Sequence, residues 1–168
     1  RRHAIGAHVD EAVRNAIAVG GSLAYLAGLH ERWQGELGGA VADYIPPLAL
    51  ADPGWFGIAV ATTDGHCYEV GDSRREFTIQ SISKPFTYGI ALRDQGFEAV
   101  DARIGVEPSG DAFNSISLAP ETGRPLNPMI NAGAITAASL VGGDAGDRRQ
   151  RLVDAYSAFA GRPLEVAQ

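Results

Sequence analysis

Apolar side chains recur at helical spacing in three parts of the chain. Residues 7–33 are rich in alanine and carry this pattern, which predicts a helix broken near Gly20 and Gly21 because glycine weakens a helix interior. The same spacing predicts a helix of small residues over 131–141 and another helix over 147–160. Helices are thus expected in the first and the last parts of the chain.

The middle of the chain carries the pattern of β-strands. An apolar, β-favouring run over residues 55–61 meets Asp64 and Gly65 and returns over 67–70, which is typical of a hairpin. A further strand is predicted over 76–79. The sequence therefore predicts two or three strands.

A helix is predicted to follow from about Ser81. Apolar residues recur on one face of this segment, and Gly96 is a typical helix stop. Pro85 is tolerated in the first helical turn but not deeper, so the helix cannot begin much before Ser81. Ser81 is therefore expected at the amino-terminal end of a helix.

Two segments follow neither pattern. Residues 34–54 contain the paired prolines Pro46 and Pro47, which predicts an irregular or extended path. Residues 101–128 are rich in proline, glycine, asparagine and serine and are too long for a bare loop in a compact domain. They are predicted to form short helical turns or a functional loop.

Several helices with few strands predict an α+β fold. A lone hairpin needs further strands or helices to bury one face, so the chain looks like part of a larger structure. Its 168 residues match the size of one ordinary domain or of a piece of a larger one, and no second domain is expected.

Composition excludes several classes of function. A net charge of −6 and an isoelectric point near 5.1 make nucleic acid a poor partner. The apolar stretches are interrupted before they could span a bilayer and no signal-peptide pattern is visible, so we expect a cytoplasmic protein without a membrane partner. The four histidines show no metal-ligand spacing, and the single cysteine, Cys67, permits no internal disulfide.

Ser81 and Lys84 form the strongest chemical signal. They stand in an S-x-x-K arrangement, which places a hydroxyl and an amine on the same side of a helix. Serine is a weak nucleophile without a base, and a lysine can act as that base when its amine is uncharged. Lys84 is the only lysine among 14 basic residues, and arginine, which supplies the other 13, does not deprotonate near neutrality. The helix start could also supply backbone N–H groups to an oxyanion site.

Simpler interpretations of the same residues remain open. Ser81 could merely cap a helix, and a bias toward arginine could have left one lysine by chance. Ser83 is a competing hydroxyl. Asn131 could donate to and accept from a polar substrate, or it could cap the helix that begins there, and Tyr44 could be a core aromatic.

Four motifs in order resemble the glutaminase family, the serine-dependent enzymes with a β-lactamase-like fold. They are V-A-D-Y-I-P at 41–46, F-T-I-Q-S-I-S-K-P-F at 77–86, E-P-S-G-D-A-F-N-S at 107–115 and N-P-M-I-N-A-G-A-I at 127–135. The resemblance extends over about residues 8–160 and includes a similar hairpin between the first two motifs.

The resemblance implies hydrolysis of L-glutamine to L-glutamate and ammonia through a serine acyl-enzyme, without a metal or organic cofactor. Ser81 would be the nucleophile and Lys84 its activating partner, and a residue outside this chain could take the part of the base instead. Tyr44, Gln80, Ser81 and Asn131 correspond to positions that line the substrate pocket. We also expect the protein to form a homo-oligomer.

The resemblance further implies an α+β fold of the β-lactamase/transpeptidase type, the multi-domain α and β type. Residues 1–168 would then be the amino-terminal portion of a single glutaminase catalytic domain, with an incomplete site if the polypeptide ends at Gln168. Two rival interpretations are another S-x-x-K acyl hydrolase or transferase, of the β-lactamase or penicillin-binding type, and a non-catalytic remnant that binds partners. Neither an S-D-N nor a K-T-G motif, which would mark the first rival, occurs here.

Overall fold

The computed structural model describes residues 21–112 and 114–166. These residues group into two compact units, which divide between Thr78 and Ile79. In the described ranges, none of the helices combines the length and the apolar character needed to cross a membrane.

In its described residues, the first unit contains two helices and a hairpin. Its elements are α1 (Ser22–Trp33), α2 (Pro46–Ala49), β1 (Gly57–Ala61) and β2 (Cys67–Gly71). The two strands pair antiparallel, with Gly57 opposite Gly71 and Ala61 opposite Cys67. Gly65 in the connecting turn has φ +89°, a conformation that glycine adopts without steric strain. The predicted hairpin is confirmed.

Helix α1 packs on the hairpin through β2 and, to a lesser extent, β1. The ring of His30 stacks on Phe56, and its Nε2 lies 2.9 Å from the Phe56 carbonyl oxygen. A Cβ on Gly71 would lie 2.1 Å from the same Nε2, so only glycine permits this approach. The helix predicted over 7–33 is confirmed from Ser22 onward, and its earlier part lies outside the described residues.

Two further predictions concern the segments 76–79 and 34–54. The predicted strand over residues 76–79 is wrong, because these residues have no strand conformation and pair with no other strand of the described chain. A β-favouring composition forms a strand only where a partner supplies the ladder hydrogen bonds. The segment 34–54 is irregular as predicted, apart from the single turn of α2 after Ile45.

The second unit is helical. It contains a 3₁₀ helix (Gln80–Ile82), followed by α3 (Ser83–Gln95), α4 (Phe97–Asp101), α5 (Asn131–Leu140) and α6 (Ala145–Ala160). Gly96 ends α3 with φ +81°, which confirms the predicted stop. Helix α6 begins two residues before the predicted start at 147, because Asp144 caps it by accepting the N–H groups of Gly146 and Asp147.

The core of the second unit joins α3, α4 and α5. Ala91, Val100, Ile104 and Ala137 are buried together, and Tyr88, Leu92 and Leu140 pack against them. Because alanine is small, α3 and α5 approach closely at this point. The core therefore sets the position of the first turns of both helices, which contain Lys84 and Asn131.

The described residues of 102–128 contain hydrogen-bonded turns but no helix, and backbone hydrogen bonds join the start of this segment to its end. The Gly105 N–H donates to Pro125 O at 2.8 Å, and the Glu107 N–H donates to Leu126 O at 3.0 Å. A Cβ on Gly105 would lie 2.6 Å from Leu126 O, so the two stretches of backbone pack directly together. These bonds hold residues 105–107 against the residues that lead into α5.

Candidate active site

Lys84 is buried in the second unit. Only 8% of its surface is exposed, and its Nζ donates to Met129 O at 2.9 Å and to Asn131 Oδ1 at 2.8 Å. A buried amine is tolerated only when its N–H groups are hydrogen-bonded, and these two oxygens serve that need. An uncharged amine retains two N–H donors, so both acceptors can be satisfied in the charged and in the uncharged form.

Helix α3 presents Lys84 to α5. Lys84, Thr87 and Ala91 are all buried, and their spacing of three and four residues places them on one face of α3. That face packs against α5, where Gly133 and Ala137 are buried. The position of Lys84 therefore depends on how closely these two helices pack.

Ser81 lies one helical turn before Lys84 and is exposed. It is the middle residue of the 3₁₀ helix, which continues directly into α3, so the helix begins within two residues of the predicted start. The competing hydroxyl of Ser83 is engaged within this turn, where its Oγ donates to Gln80 O at 2.7 Å. Of the two serines, Ser81 is therefore the one that offers an exposed side chain to a ligand.

Gln80 has an unusual backbone conformation. Its φ of +45° lies in the left-handed region, which residues other than glycine rarely adopt. Such strain costs about 1–3 kcal/mol and is often found at functional sites. It occurs here at the residue directly before Ser81, where the chain turns into the helix.

The backbone N–H groups near Ser81 are partly used by the turn itself. The N–H of Ile82 donates to Ile79 O, and the N–H of Ser83 donates to Gln80 O and Ser81 O. The prediction that the helix start supplies backbone N–H groups to an oxyanion site is therefore wrong for these two groups. A tight 3₁₀ turn satisfies N–H groups that an α-helix would leave unpaired.

The two asparagines before α5 have different roles. Asn131 is exposed and is the first residue of α5, and its Oδ1 accepts from Lys84 instead of capping the helix. Asn127 acts as the local cap, since its Oδ1 accepts the N–H groups of Met129 and Ile130. Sequence reasoning missed this role, for which the Asn127-Pro128 pair was the available signal.

The remaining predicted site residue, Tyr44, lies in the first unit. It is 77% exposed, so the alternative of a core aromatic is wrong. A cavity of about 780 Å³ also lies in the first unit, where Leu50, Trp55 and Phe77 supply apolar walls, but none of the predicted site residues lines it. Among the described residues no three histidine, cysteine or acidic side chains come together as metal ligands would.

A charged pair fixes the other end of α3. Arg151 of α6 donates from Nη2 to Asp94 Oδ1 of α3 at 3.0 Å, its Nη1 lies 2.8 Å from Asp94 Oδ2 as an ion pair, and the N–H of Gly142 donates to the same carboxylate. The Arg151 hydrogen bond, followed by that of Gly142, lowers the pKa of Asp94 from 3.8 to about 2. This pair joins α3 to α6 and to the residues that follow α5.

All of the site residues described above lie in a part of the chain that matches known proteins. Residues 39–168 match the family model described as Glutaminase. The chain is 51% identical over 143 residues to a glutaminase of Microcystis aeruginosa, in a match that covers 84% of this chain and 42% of that protein. It is 48% identical over 145 residues to a glutaminase of Corynebacterium efficiens, with 84% of this chain and 34% of that protein covered. The chain thus spans less than half the length of these relatives.

Solved structures agree with the sequence matches. The native form of a protein named Mglu superimposes with a TM-score of 0.79 at 49% identity, over 87% of this chain and 36% of that one. The Bacillus subtilis protein solved as a probable glutaminase gives a TM-score of 0.73 at 32% identity, over 86% of this chain and 45% of that one. These neighbours confirm the predicted α+β fold of the β-lactamase-like type. The family match spans Tyr44, Gln80, Ser81, Lys84 and Asn131 alike.

Proposed function

The chain belongs to the glutaminase family, and from this premise we propose that the protein hydrolyses the side-chain amide of L-glutamine to L-glutamate and ammonia. One observation carries the proposal. The only lysine of the chain is buried one helical turn after an exposed serine, with its Nζ held by Met129 O and Asn131 Oδ1. A solved neighbour at 49% identity, Mglu, has a glutamate form, which supports glutamate as the product.

The proposed reaction proceeds through an ester at Ser81. Ser81 Oγ attacks the side-chain amide carbon of glutamine and its proton passes to the Nζ of Lys84. The C–N bond then breaks, the nitrogen takes the proton from Lys84 and ammonia leaves, so that a glutamyl ester remains on Ser81. Water attacks the ester, the C–O bond to Ser81 breaks, and glutamate is released as Ser81 regains its proton.

The neighbouring residues are proposed to bind the substrate. Asn131 is exposed and its Oδ1 already accepts from Lys84, which leaves its Nδ2 as the group proposed to donate to the substrate. Gln80 and Ser81 stand together at the strained turn. Tyr44 is assigned to the same pocket on the family resemblance alone.

The organisation of the whole protein follows the same proposal. Residues 1–168 would be the amino-terminal portion of a single catalytic domain of which the relatives contain more. The homo-oligomer and the cytoplasmic location stay predictions.

A reactive substrate analogue tests the proposal. Incubation of the full-length protein with a diazoketone analogue of glutamine, followed by peptide mapping, is expected to place one adduct on Ser81. Excess glutamine should slow this reaction, because both compounds would use the same pocket. An adduct elsewhere, or none, would overturn the proposal and favour a non-catalytic binding protein. Modification of Ser81 by a penicillin, with no effect of glutamine, would instead favour a β-lactamase-type enzyme.

A further inference from the structure

Asn127 makes three hydrogen bonds at the entrance to α5. Its Oδ1 accepts the N–H of Met129 at 3.0 Å and the N–H of Ile130 at 3.2 Å. Its Nδ2 donates to Glu107 O at 2.9 Å. The side chain thus holds a turn at one end and joins it to the segment 105–107 at the other.

The turn that Asn127 holds leads to two acceptors of Lys84. Met129 receives its N–H bond from Asn127, and the carbonyl oxygen of the same residue accepts from Lys84 at 2.9 Å. Ile130 precedes Asn131, whose Oδ1 is the second acceptor. Because a peptide unit is planar, fixing the N–H groups of Met129 and Ile130 restricts the direction of the intervening carbonyl. The direction of the Met129 carbonyl therefore depends on the Asn127 side chain, and Asn131 follows one peptide unit later.

Close packing prevents the turn from moving independently of α5. A Cβ on Gly133 would lie 1.9 Å from Asn127 O and 2.9 Å from the Cα of Pro128. The backbone at Asn127 and Pro128 therefore rests directly on the first turn of α5. A change at Asn127 is transmitted to Asn131 through this contact as well as through the turn.

We propose that Asn127 is a positioning residue for the amine of Lys84, acting through Met129 O and Asn131. This inference rests on the proposed function, in which Lys84 activates Ser81. Asn127 itself touches neither Lys84 nor Ser81 in any hydrogen bond of the described chain. Its effect is on where Nζ lies, and a displacement of about 1 Å at a reacting group can lower a rate about 100-fold.

The side-chain signal of Lys84 provides a direct measurement. In protein grown with lysine labelled with nitrogen-15 at Nζ, this signal is identified as the one that Lys84→Arg removes. Asn127→Ala removes both the acceptor and the donor and should shift or broaden this signal. Asn127→Asp keeps an acceptor for the two N–H groups and should restore it close to that of the unchanged protein.

Asp144 supplies a matched control. It caps α6 by accepting two backbone N–H groups, as Asn127 does for its turn, but it makes no bond to a residue that contacts Lys84. Asp144→Ala is expected to lower the unfolding free energy while the Nζ signal stays in place. Comparison of the two alanine variants separates positioning from simple loss of a cap.

The rate of Ser81 modification by the diazoketone analogue provides the second readout. Asn127→Ala should lower it about 10-fold to 100-fold, Asn127→Asp by less than about 3-fold, and Asp144→Ala not at all. An unchanged Nζ signal and rate in Asn127→Ala, with only reduced stability, would overturn the inference. Absence of Ser81 modification in the unchanged protein would instead overturn the proposed function, and a shifted Nζ signal in Asn127→Ala would still support the positioning role.

Discussion

Nζ of Lys84 and Oδ1 of Asn131 lie 2.8 Å apart although 47 residues separate them in the sequence. The contact joins the first turn of α3 to the first residue of α5. Each residue belongs to a motif that the sequence makes conspicuous, and the fold brings the two motifs to one place. The predictions below test what this contact and its surroundings do.

Replacement of Lys84 separates its charge from its basicity. Lys84→Arg keeps a positive charge but introduces a guanidinium that does not lose a proton near neutral pH. Lys84→Met removes the amine and keeps an unbranched side chain. If the amine accepts the Ser81 proton, Ser81 should react with the diazoketone analogue at least about 100-fold more slowly in both variants. Mass spectrometry of the adduct measures this rate. A Lys84→Arg variant with the unchanged rate would show that charge alone is sufficient.

The two serines of the turn are expected to behave differently. Ser81→Ala should abolish the adduct with the glutamine analogue. Ser83→Ala should retain it and lose about 1 kcal/mol of unfolding free energy, because Gln80 O loses the hydroxyl donor at 2.7 Å. Urea unfolding and peptide mapping of both variants check this. Loss of the adduct in a folded Ser83→Ala variant, with the adduct kept in Ser81→Ala, would assign the nucleophile to Ser83.

Gly133 is expected to resist substitution. A Cβ at this position would meet Asn127 O at 1.9 Å, so Gly133→Ala should force α5 and the preceding turn apart. We expect a loss of about 2–3 kcal/mol of unfolding free energy and a displaced Nζ signal of Lys84.

Gly89 is the matched control for Gly133. It also lies inside a helix, α3, but a Cβ there would meet nothing within 4 Å. Gly89→Ala should therefore raise the unfolding free energy by about 0.5–1 kcal/mol, since alanine is the better helix former. Equal effects of the two substitutions in urea unfolding would show that the contact at Gly133 is not tight.

The Asp94–Arg151 pair predicts a loss of stability in acid. The Asp94 side chain is 10% exposed, and the hydrogen bonds of Arg151 and then of the Gly142 N–H lower the pKa of Asp94 from 3.8 to about 2. A carboxyl group whose pKa is lower in the folded than in the unfolded protein stabilises the fold above the unfolded pKa. This contribution, about 1–2 kcal/mol after allowance for solvent screening by the half-exposed arginine, should disappear as the pH falls from about 5 to about 2.

Arg151→Gln should remove most of that pH dependence, as measured by urea unfolding across the same range. Arg149→Gln makes the same change of charge at an exposed position two residues earlier on α6 and serves as the control. If Arg149→Gln flattened the pH profile as much as Arg151→Gln, general charge and not the Asp94 pair would be responsible.

Local signals predicted most of the elements. Gly65 sets the hairpin turn and Gly96 ends α3, because each adopts a positive φ that other residues avoid. The strand predicted over 76–79 was wrong for the opposite reason: strand formation requires a partner, and no local signal states whether one exists. Helix α6 begins two residues before the predicted 147, because Asp144 accepts the first N–H groups of the helix.

By itself the sequence determined the candidates for chemistry. A lone lysine three residues after a serine, a proline that limits where the helix begins, and four ordered motifs were enough to indicate the family and the S-x-x-K pair. These are properties of residue type and short spacing, and they hold before any folding is considered.

Tertiary structure alone decided which groups surround that pair. The acceptors of Lys84 lie 45 and 47 residues along the chain, and the closeness of α3 and α5 that brings them together depends on packing in the core. The different hydrogen bonds of Asn127 and Asn131 also depend on the tertiary structure. Each could cap a helix by its type, but in the structure Asn127 holds the turn before α5 and Asn131 accepts from the amine of Lys84.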